Sequence, residues 1–310
     1  METSKEQLML IITRETILKG GRQFFRGTIE RTKMKHTSIF YFLLVLIISC
    51  QNNDLQTISK EALSNELTEV QADSGLVILM KDNEVVAQVN LVADKGTYRT
   101  SDESAFRAKR DMGTLLSTAC MMAALDGVSP ADTVDVGDGV YSKDGKRIED
   151  HNADMGGYGI LTAEQVIAFD SRVGITKLME RCPKVSEMLS RIGFSSSLAS
   201  PMDVASFYNR IAHEDHSLCA AEKMTQIRTM LSKVVTDGTG KNLFSDSLAI
   251  AGKTGSTANK EEVSCCGFFT INGSIYTCLV IVSHPKIGYP SGGVMAGNVV
   301  KEIANYLMKK

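Results

Sequence analysis

Ala251-Gly252-Lys253-Thr254-Gly255-Ser256 closes a short apolar run, residues 248–254, that reads as a β-strand. A lysine carried on a strand sets a positive charge at a cleft edge. The glycines beside it have no side chain, so a second backbone can approach the strand. Hydroxyls on Thr254 and Ser256 supply nearby donors for a carboxylate. Lys-Thr-Gly alone is three residues long, and a solvated lysine at a strand end is the plain alternative. Its surroundings carry more. A helical stretch at about 220–235 stops at Asp237-Gly238, inside Thr236-Asp237-Gly238-Thr239-Gly240-Lys241-Asn242-Leu243. Downstream, apolar residues 265–271 and 275–283 flank Asn272-Gly273, the pair favoured in type I′ hairpins. Gly292-Gly293 then precedes a last helical stretch at about 296–308.

Farther upstream, apolar residues 76–80 and 85–91 are separated by Lys81-Asp82-Asn83-Glu84, which predicts a second hairpin. Residues 112–125 (MGTLLSTACMMAAL) predict a helix that is apolar all round and therefore buried. Thr162 and Gln165 are spaced for a capping box, and Ser200-Pro201 suits an N-cap followed by N1. Strands at both ends enclose a helical middle. The expected fold class is α+β: an antiparallel sheet formed by N- and C-terminal strands, packed with helices, plus a helical lobe.

The chain has 310 residues, 34 basic and 36 acidic, for a net charge of -2; 43% are hydrophobic and 23% charged. That is ordinary globular composition and excludes a disordered or collagen-like chain. A near-neutral surface argues against nucleic acid as a partner. Seven cysteines are too few for a disulfide scaffold. Residues 39–49 (IFYFLLVLIIS) are too short to span a bilayer but match the apolar core of a signal peptide, with Lys35 as its basic flank and Met34 as a candidate start. The run ends at Ser49-Cys50 and resembles a bacterial lipobox, which implies cleavage before a lipid-bearing Cys50. A chance cysteine after a buried apolar strand is the alternative. The expected organisation is a leader and lipoprotein-type signal over 1–49, a polar tether over 50–74 in which Leu63, Leu67 and Val70 line a short helix, and one domain over 75–310. Residues 1–49 carry eight basic and four acidic residues, so 26 and 32 remain beyond them, net -6.

From Met230 to Leu307 the chain resembles the end of a class B penicillin-binding transpeptidase domain. The family pattern there is a helix, V-V-x-x-G-T-G, A-G-K-T-G-T/S, two strands, a Gly-Gly turn and a helix. Asp132-Thr133-Val134-Asp135 with Gly137-Asp138-Gly139 resembles the segment after the nucleophile helix. Gly156-Gly157-Tyr158-Gly159-Ile160-Leu161-Thr162 resembles the approach to the second motif, and the hairpin from residue 75 to 91 the first two strands. The resemblance implies a serine D,D-transpeptidase / β-lactamase-like fold, with residues Lys253, Thr254, Gly255 and Ser256 facing the substrate. The family's large N-terminal pedestal has no counterpart in the two dozen residues between Cys50 and the first strand, and its excursion between 191 and 201 is shortened.

Two motifs depart from the pattern. The nucleophilic Ser of S-x-x-K is Thr114, the assisting Lys is Ser117, and the preceding Pro is Met112. A hydroxyl needs an adjacent base to become a nucleophile. Ser117 is no base, and loss of general-base help alone costs about 10²–10⁴ in rate. In S-x-N, Val173-Gly174 fix the register, so Asp170 replaces the Ser and Arg172 the Asn. Asp170 can pair with Arg172 or Lys253 and partly fill the cleft; plain solvation of both is the alternative.

Other clusters weigh less. His213-Glu214-Asp215-His216 is not H-E-x-x-H and has no third ligand in sequence, so no metal is expected. Asp150-His151 hints at a triad but falls in an ordinary loop of the family. Cys265 and Cys266 point to opposite faces of one strand, and with Cys120, Cys182, Cys219 and Cys278 they show no zinc spacing. No cofactor is expected. The resemblance, with its lost motifs, implies a membrane-anchored lipoprotein of the bacterial envelope. It would hold peptidoglycan stem peptide, a β-lactam or cell-envelope proteins without covalent chemistry. The alternatives are an active D,D-transpeptidase, carboxypeptidase or β-lactamase with an atypical nucleophile, and a decayed paralogue.

Overall fold

Strand β1 (Ser74–Lys81) alternates its apolar side chains between two cores. Leu76, Ile78 and Met80 join one cluster, while Val77 and Leu79 join the other. Both faces are covered, which is why the run is continuously apolar rather than alternating with polar residues. The computed structural model describes residues 36–182, 185–191, 194 and 198–310. The leader reading of residues 1–35 lies outside these, as do the side chains of 36–52, Cys50 among them. The chain divides into Met1–Ser49 and Cys50–Lys310. In the first unit residues 36–49 are helical, opening α1 (His36–Glu69). Among the described residues no helix is long and apolar enough to cross a membrane.

After β1 come β2 (Glu84–Asp94), β3 (Thr97–Thr100) and β4 (Arg110–Asp111). A 3₁₀ turn at Gly113–Leu116 leads into α2 (Ser117–Ala124). Next are β5 (Thr133–Gly137), β6 (Val140–Lys143), β7 (Lys146–Glu149) and β8 (Gly159–Thr162). Helices α3 (Ala163–Ala168), α4 (Arg172–Glu180) and α5 (Val185–Arg191) follow. After β9 (Leu198–Ala199) stand α6 (Pro201–Ala212) and α7 (Ala221–Thr236). The chain ends with β10 (Ile250–Ser256), β11 (Glu262–Ile271), β12 (Ser274–Ser283) and α8 (Gly297–Met308).

The main sheet has the order β10-β11-β12-β1-β2-β3, with every neighbouring pair antiparallel. Strands from both ends meet at β1 and β12, as the sequence pattern requires. Asn272 and Gly273 have φ of 50° and 80°, the backbone of a type I′ turn. Both capping motifs form: Thr162 with Gln165 at α3, and Ser200 with Asp203 at α6.

Two segments differ from the sequence expectation. Residues 50–74 are not a free tether. Leu63 and Leu67 line α1 as expected, with Val70 in the turn just after it, but together with Leu55 they are buried in the core shared with α8 and one sheet face. Burying each such side chain contributes about 1.5–3 kcal/mol, enough to dock the segment despite its polar composition. The helix expected over 112–125 is split, because its first turn is 3₁₀ and only Ser117 onward is α-helical.

Candidate active site

Gly113 brings the 3₁₀ turn against β10. Its φ is +56°, and a Cβ there would lie 2.2 Å from the Ser256 carbonyl oxygen, so no side chain fits. Asp111 fixes the turn by accepting from the Gly113 amide at 2.8 Å. From the lobe, the fully buried Tyr208 of α6 donates to the Leu115 carbonyl at 2.7 Å and pairs with the Thr118 hydroxyl at 2.8 Å. Thr114 is thereby held beside the strand, 7% exposed. Its hydroxyl donates to Asp170 Oδ2 at 2.9 Å and accepts from the Ser256 amide at 3.4 Å.

Asp170 sits in the turn between α3 and α4 with φ of +57°, a left-handed conformation that asparagine and aspartate tolerate better than most residues. The turn is fastened on both sides. Phe169 stacks on Tyr158 at 5.3 Å between centroids. Ser171 caps α4 by accepting from the Gly174 amide at 2.8 Å and donates to Asp150 at 2.8 Å, while Asp150 also accepts from the Val173 amide at 3.0 Å. Burial pushes the Asp150 carboxyl above the ordinary aspartate range, with these hydrogen bonds opposing.

Asp170 pairs with Lys253, not with Arg172. Lys253 is 0% exposed; its ammonium contacts Asp170 Oδ1 and donates to the Thr254 carbonyl at 2.7 Å. Burying an ammonium is tolerated only with a counter-charge, and Asp170 supplies it. Arg172, at the first turn of α4, reaches the end of β10 instead. Its Nη2 donates to the Ser256 carbonyl at 2.5 Å, the Thr257 carbonyl at 2.8 Å and the Ser256 hydroxyl at 3.1 Å. Ser117 lies just beyond Thr114 at the start of α2, 9% exposed.

Asp170 borders a cleft of about 240 Å³ whose lining also includes Thr254, Gly255 and Ser256. Thr254 is paired with Thr239 through their hydroxyls at 2.5 Å. Gly292 and Gly293 form the floor, and a Cβ on Gly293 would lie 1.9 Å from the Thr239 carbonyl oxygen. These two glycines open a single π-helical turn leading into α8 rather than a simple reverse turn.

The chain has the penicillin-binding-protein transpeptidase fold. Residues 183–305 match the family model of the penicillin binding protein transpeptidase domain. The chain is similar to the apo transpeptidase domain of penicillin-binding protein 3 from Burkholderia pseudomallei: 20% identity, 83% of this chain and 94% of that chain covered, TM-score 0.67. It is also similar to a structure described as a peptidoglycan glycosyltransferase from Burkholderia ambifaria: 22% identity, 83% and 95% covered, TM-score 0.68. No curated protein matches the sequence. The matched stretch contains Lys253, Thr254, Gly255 and Ser256 and begins after Thr114, Ser117, Asp170 and Arg172. Those four lie outside the match, and their arrangement is that of this structure alone.

The structure joins Thr114 and Lys253 through Asp170, and sets Arg172 on the end of β10. It adds cleft residues that sequence reasoning had not singled out as functional. His151 lines the wall, its Nε2 3.0 Å from the Tyr158 hydroxyl. Burial lowers its pKa below the ordinary value, with Asp170 and Asp150 opposing. Asp150 does not orient it, being committed to Ser171 and Val173. Tyr289 and Lys260 stand at the rim, with Lys260 Nζ 3.2 Å from the Tyr289 hydroxyl. His213 pairs through Nδ1 with the Asn209 carbonyl at 2.9 Å, an ordinary helix-end contact. Cys265 and Cys266 are buried in opposite cores, and burial pushes the Cys265 thiol up to about 12.

Proposed function

We propose that this transpeptidase-fold domain works in the bacterial cell envelope, tethered by lipid on Cys50, and holds cell-wall stem peptide in its cleft without forming an acyl bond. The observation that carries the reading is the position of the Asp170 carboxylate, between the Thr114 hydroxyl and the Lys253 ammonium. A hydroxyl becomes a nucleophile when a neighbouring base takes its proton. Aspartate is a far weaker base than an amine, with ordinary pKa values near 3.9 against about 10.4 for lysine, and here its charge is already spent on Lys253. Ser117 adds nothing basic, and the β-methyl of Thr114 crowds any attack.

What remains suits non-covalent recognition. The cleft keeps the hydroxyls of Thr239, Thr254, Ser256 and Ser291, the cation Lys260, and glycine-bare backbone beside Gly255 and Gly292. These groups match a peptide chain with a carboxylate end. The test is covalent labelling of the purified protein with a fluorescent penicillin, read by intact mass. No adduct is expected. An adduct mapped to Thr114 or Ser117 overturns the reading.

One feature favours a second reading. Thr114 Oγ1 has a carboxylate at 2.9 Å and a strand amide at 3.4 Å, the base and oxyanion donor of a minimal acyl-transfer site. An active threonine enzyme would release D-Ala from a pentapeptide and lose that activity on Thr114→Ala.

A further inference from the structure

Strand β10 is the edge of the main sheet and, among the described residues, pairs only with β11. An unpaired edge offers its outward main-chain groups to any extended peptide. The register decides which groups those are. The Thr257 amide donates to the Glu262 carbonyl on β11, so Gly255 and Lys253 direct their main-chain groups to β11 while Ser256 and Thr254 direct theirs outward. Three of the four outward main-chain groups on Thr254 and Ser256 are already engaged. Lys253 covers the Thr254 carbonyl, Arg172 covers the Ser256 carbonyl, and the Ser256 amide reaches Thr114 at 3.4 Å. The only buried ammonium beside this edge is, in turn, held by Asp170 among the described residues.

We infer that Asp170 and Arg172 make the turn into α4 a self-carried occupant of the cleft, with Arg172 as its movable part. Asp170 holds the ammonium that a ligand carboxylate would take, and Arg172 holds the carbonyl that a ligand amide would take. The two halves differ in mobility. Asp170 is fixed by the stack of Phe169 on Tyr158 and by the cap of Ser171 anchored to Asp150. Arg172 hangs from the first turn of α4 on a long side chain, so rotation about its own torsions uncovers Ser256 while the helix stays in place. The ligand that displaces it is an extended peptide ending in a carboxylate, whose N–H replaces Arg172 on the Ser256 carbonyl while the guanidinium turns out to solvent. This deepens the stem-peptide reading above and rests on it.

The experiment titrates an N-acylated peptide ending in D-Ala-D-Ala into the full-length protein by calorimetry, for wild type, Arg172→Ala and Arg172→Lys, with thermal melts as folding controls. Arg172→Ala is expected to bind about 10- to 100-fold more tightly than wild type, the affinity equivalent of one charged hydrogen bond no longer displaced. Arg172→Lys, with a point charge in place of the fork, is expected to fall between them. Should Arg172→Ala fail to fold, Arg172→Lys decides by the same comparison. Equal affinity in all three overturns the gate and leaves the stem-peptide reading standing. Weaker binding by either variant makes Arg172 a ligand contact and also overturns the gate. Absence of binding in all three overturns both.

Discussion

Lys253→Met isolates what the Lys253–Asp170 pair does for the fold. The lysine side chain is 0% exposed and the aspartate 12% exposed, so water cannot replace either partner freely. Removing one member of a buried pair leaves an uncompensated charge and costs about 3–5 kcal/mol. Methionine fills most of the lysine volume, so the cavity contribution is small and the loss is electrostatic. After the substitution Asp170 keeps only the Thr114 hydroxyl at 2.9 Å among its described side-chain partners. For a chain of this size each kcal/mol moves Tm by about 2–4 °C, giving an expected drop of about 6–20 °C. Asp170→Asn is the second arm, chosen because asparagine accepts the φ of +57° without added strain. It should cost less, about 2–3 kcal/mol, since the amide oxygen still accepts from the ammonium. The double variant completes the cycle, read by urea melts followed by circular dichroism. Its loss should fall short of the sum of the singles by about 2 kcal/mol or more, because the second substitution removes the charge orphaned by the first. Additivity within about 0.5 kcal/mol, or a Lys253→Met protein as stable as wild type, would refute the pairing and with it the argument that Asp170 is spent on Lys253.

Three further outcomes follow from the same packing. Gly113→Ala places a methyl 2.2 Å from the Ser256 carbonyl at a φ of +56°, and should cost about 2–4 kcal/mol in a denaturant melt, whereas Gly145→Ala, open around its Cβ, should cost only its backbone strain. Tyr208→Phe removes the donor to Leu115 and the partner of Thr118 inside a sealed core, and should lower stability by about 1–3 kcal/mol with little change in secondary structure by circular dichroism. His151 has its pKa lowered from 6.5 chiefly by burial, so the unfolded chain binds more protons just below that value, and stability should fall as pH drops from about 6.5 towards the lowered value. His151→Gln should flatten that part of the stability–pH curve, and an unchanged slope would remove the histidine from the account.

The antiparallel sheet built from both ends of the chain was legible because apolar runs and turn residues are local signals, while its strand order came only from the structure. Asn272-Gly273 specifies a two-residue turn by backbone preference alone, and the Thr162/Gln165 capping box and the Ser200-Pro201 helix start need only two to four residues of sequence. The α1 segment was misjudged for the opposite reason. Its composition is polar, and only the sheet face beneath it reveals that Leu55, Leu63 and Leu67 have somewhere to be buried. The 3₁₀ turn at Gly113–Leu116 escaped notice because an apolar string does not state its helical pitch; contact with β10 sets it. Cys265 and Cys266, in contrast, were assigned to opposite faces by the two-residue period of a strand, and the two cores divide them accordingly.

By itself the sequence determined that Lys253 rides on a strand near its end, and that Asp170 and Arg172 bring opposite charges to the same neighbourhood; its resemblance added the expectation that Thr114 and Ser117 stand at the nucleophile and base positions. Composition and spacing left both charges free to be solvated, and left Asp170 to choose between Arg172 and Lys253. Only the tertiary structure sent Asp170 to Lys253, 83 residues away, and Arg172 to Ser256, 84 residues away. The physical reason is burial. Once the sheet and the lobe close over Lys253, its ammonium must find a counter-charge, and the left-handed turn at Asp170 puts a carboxylate there and aims Arg172 past it at the open edge of β10.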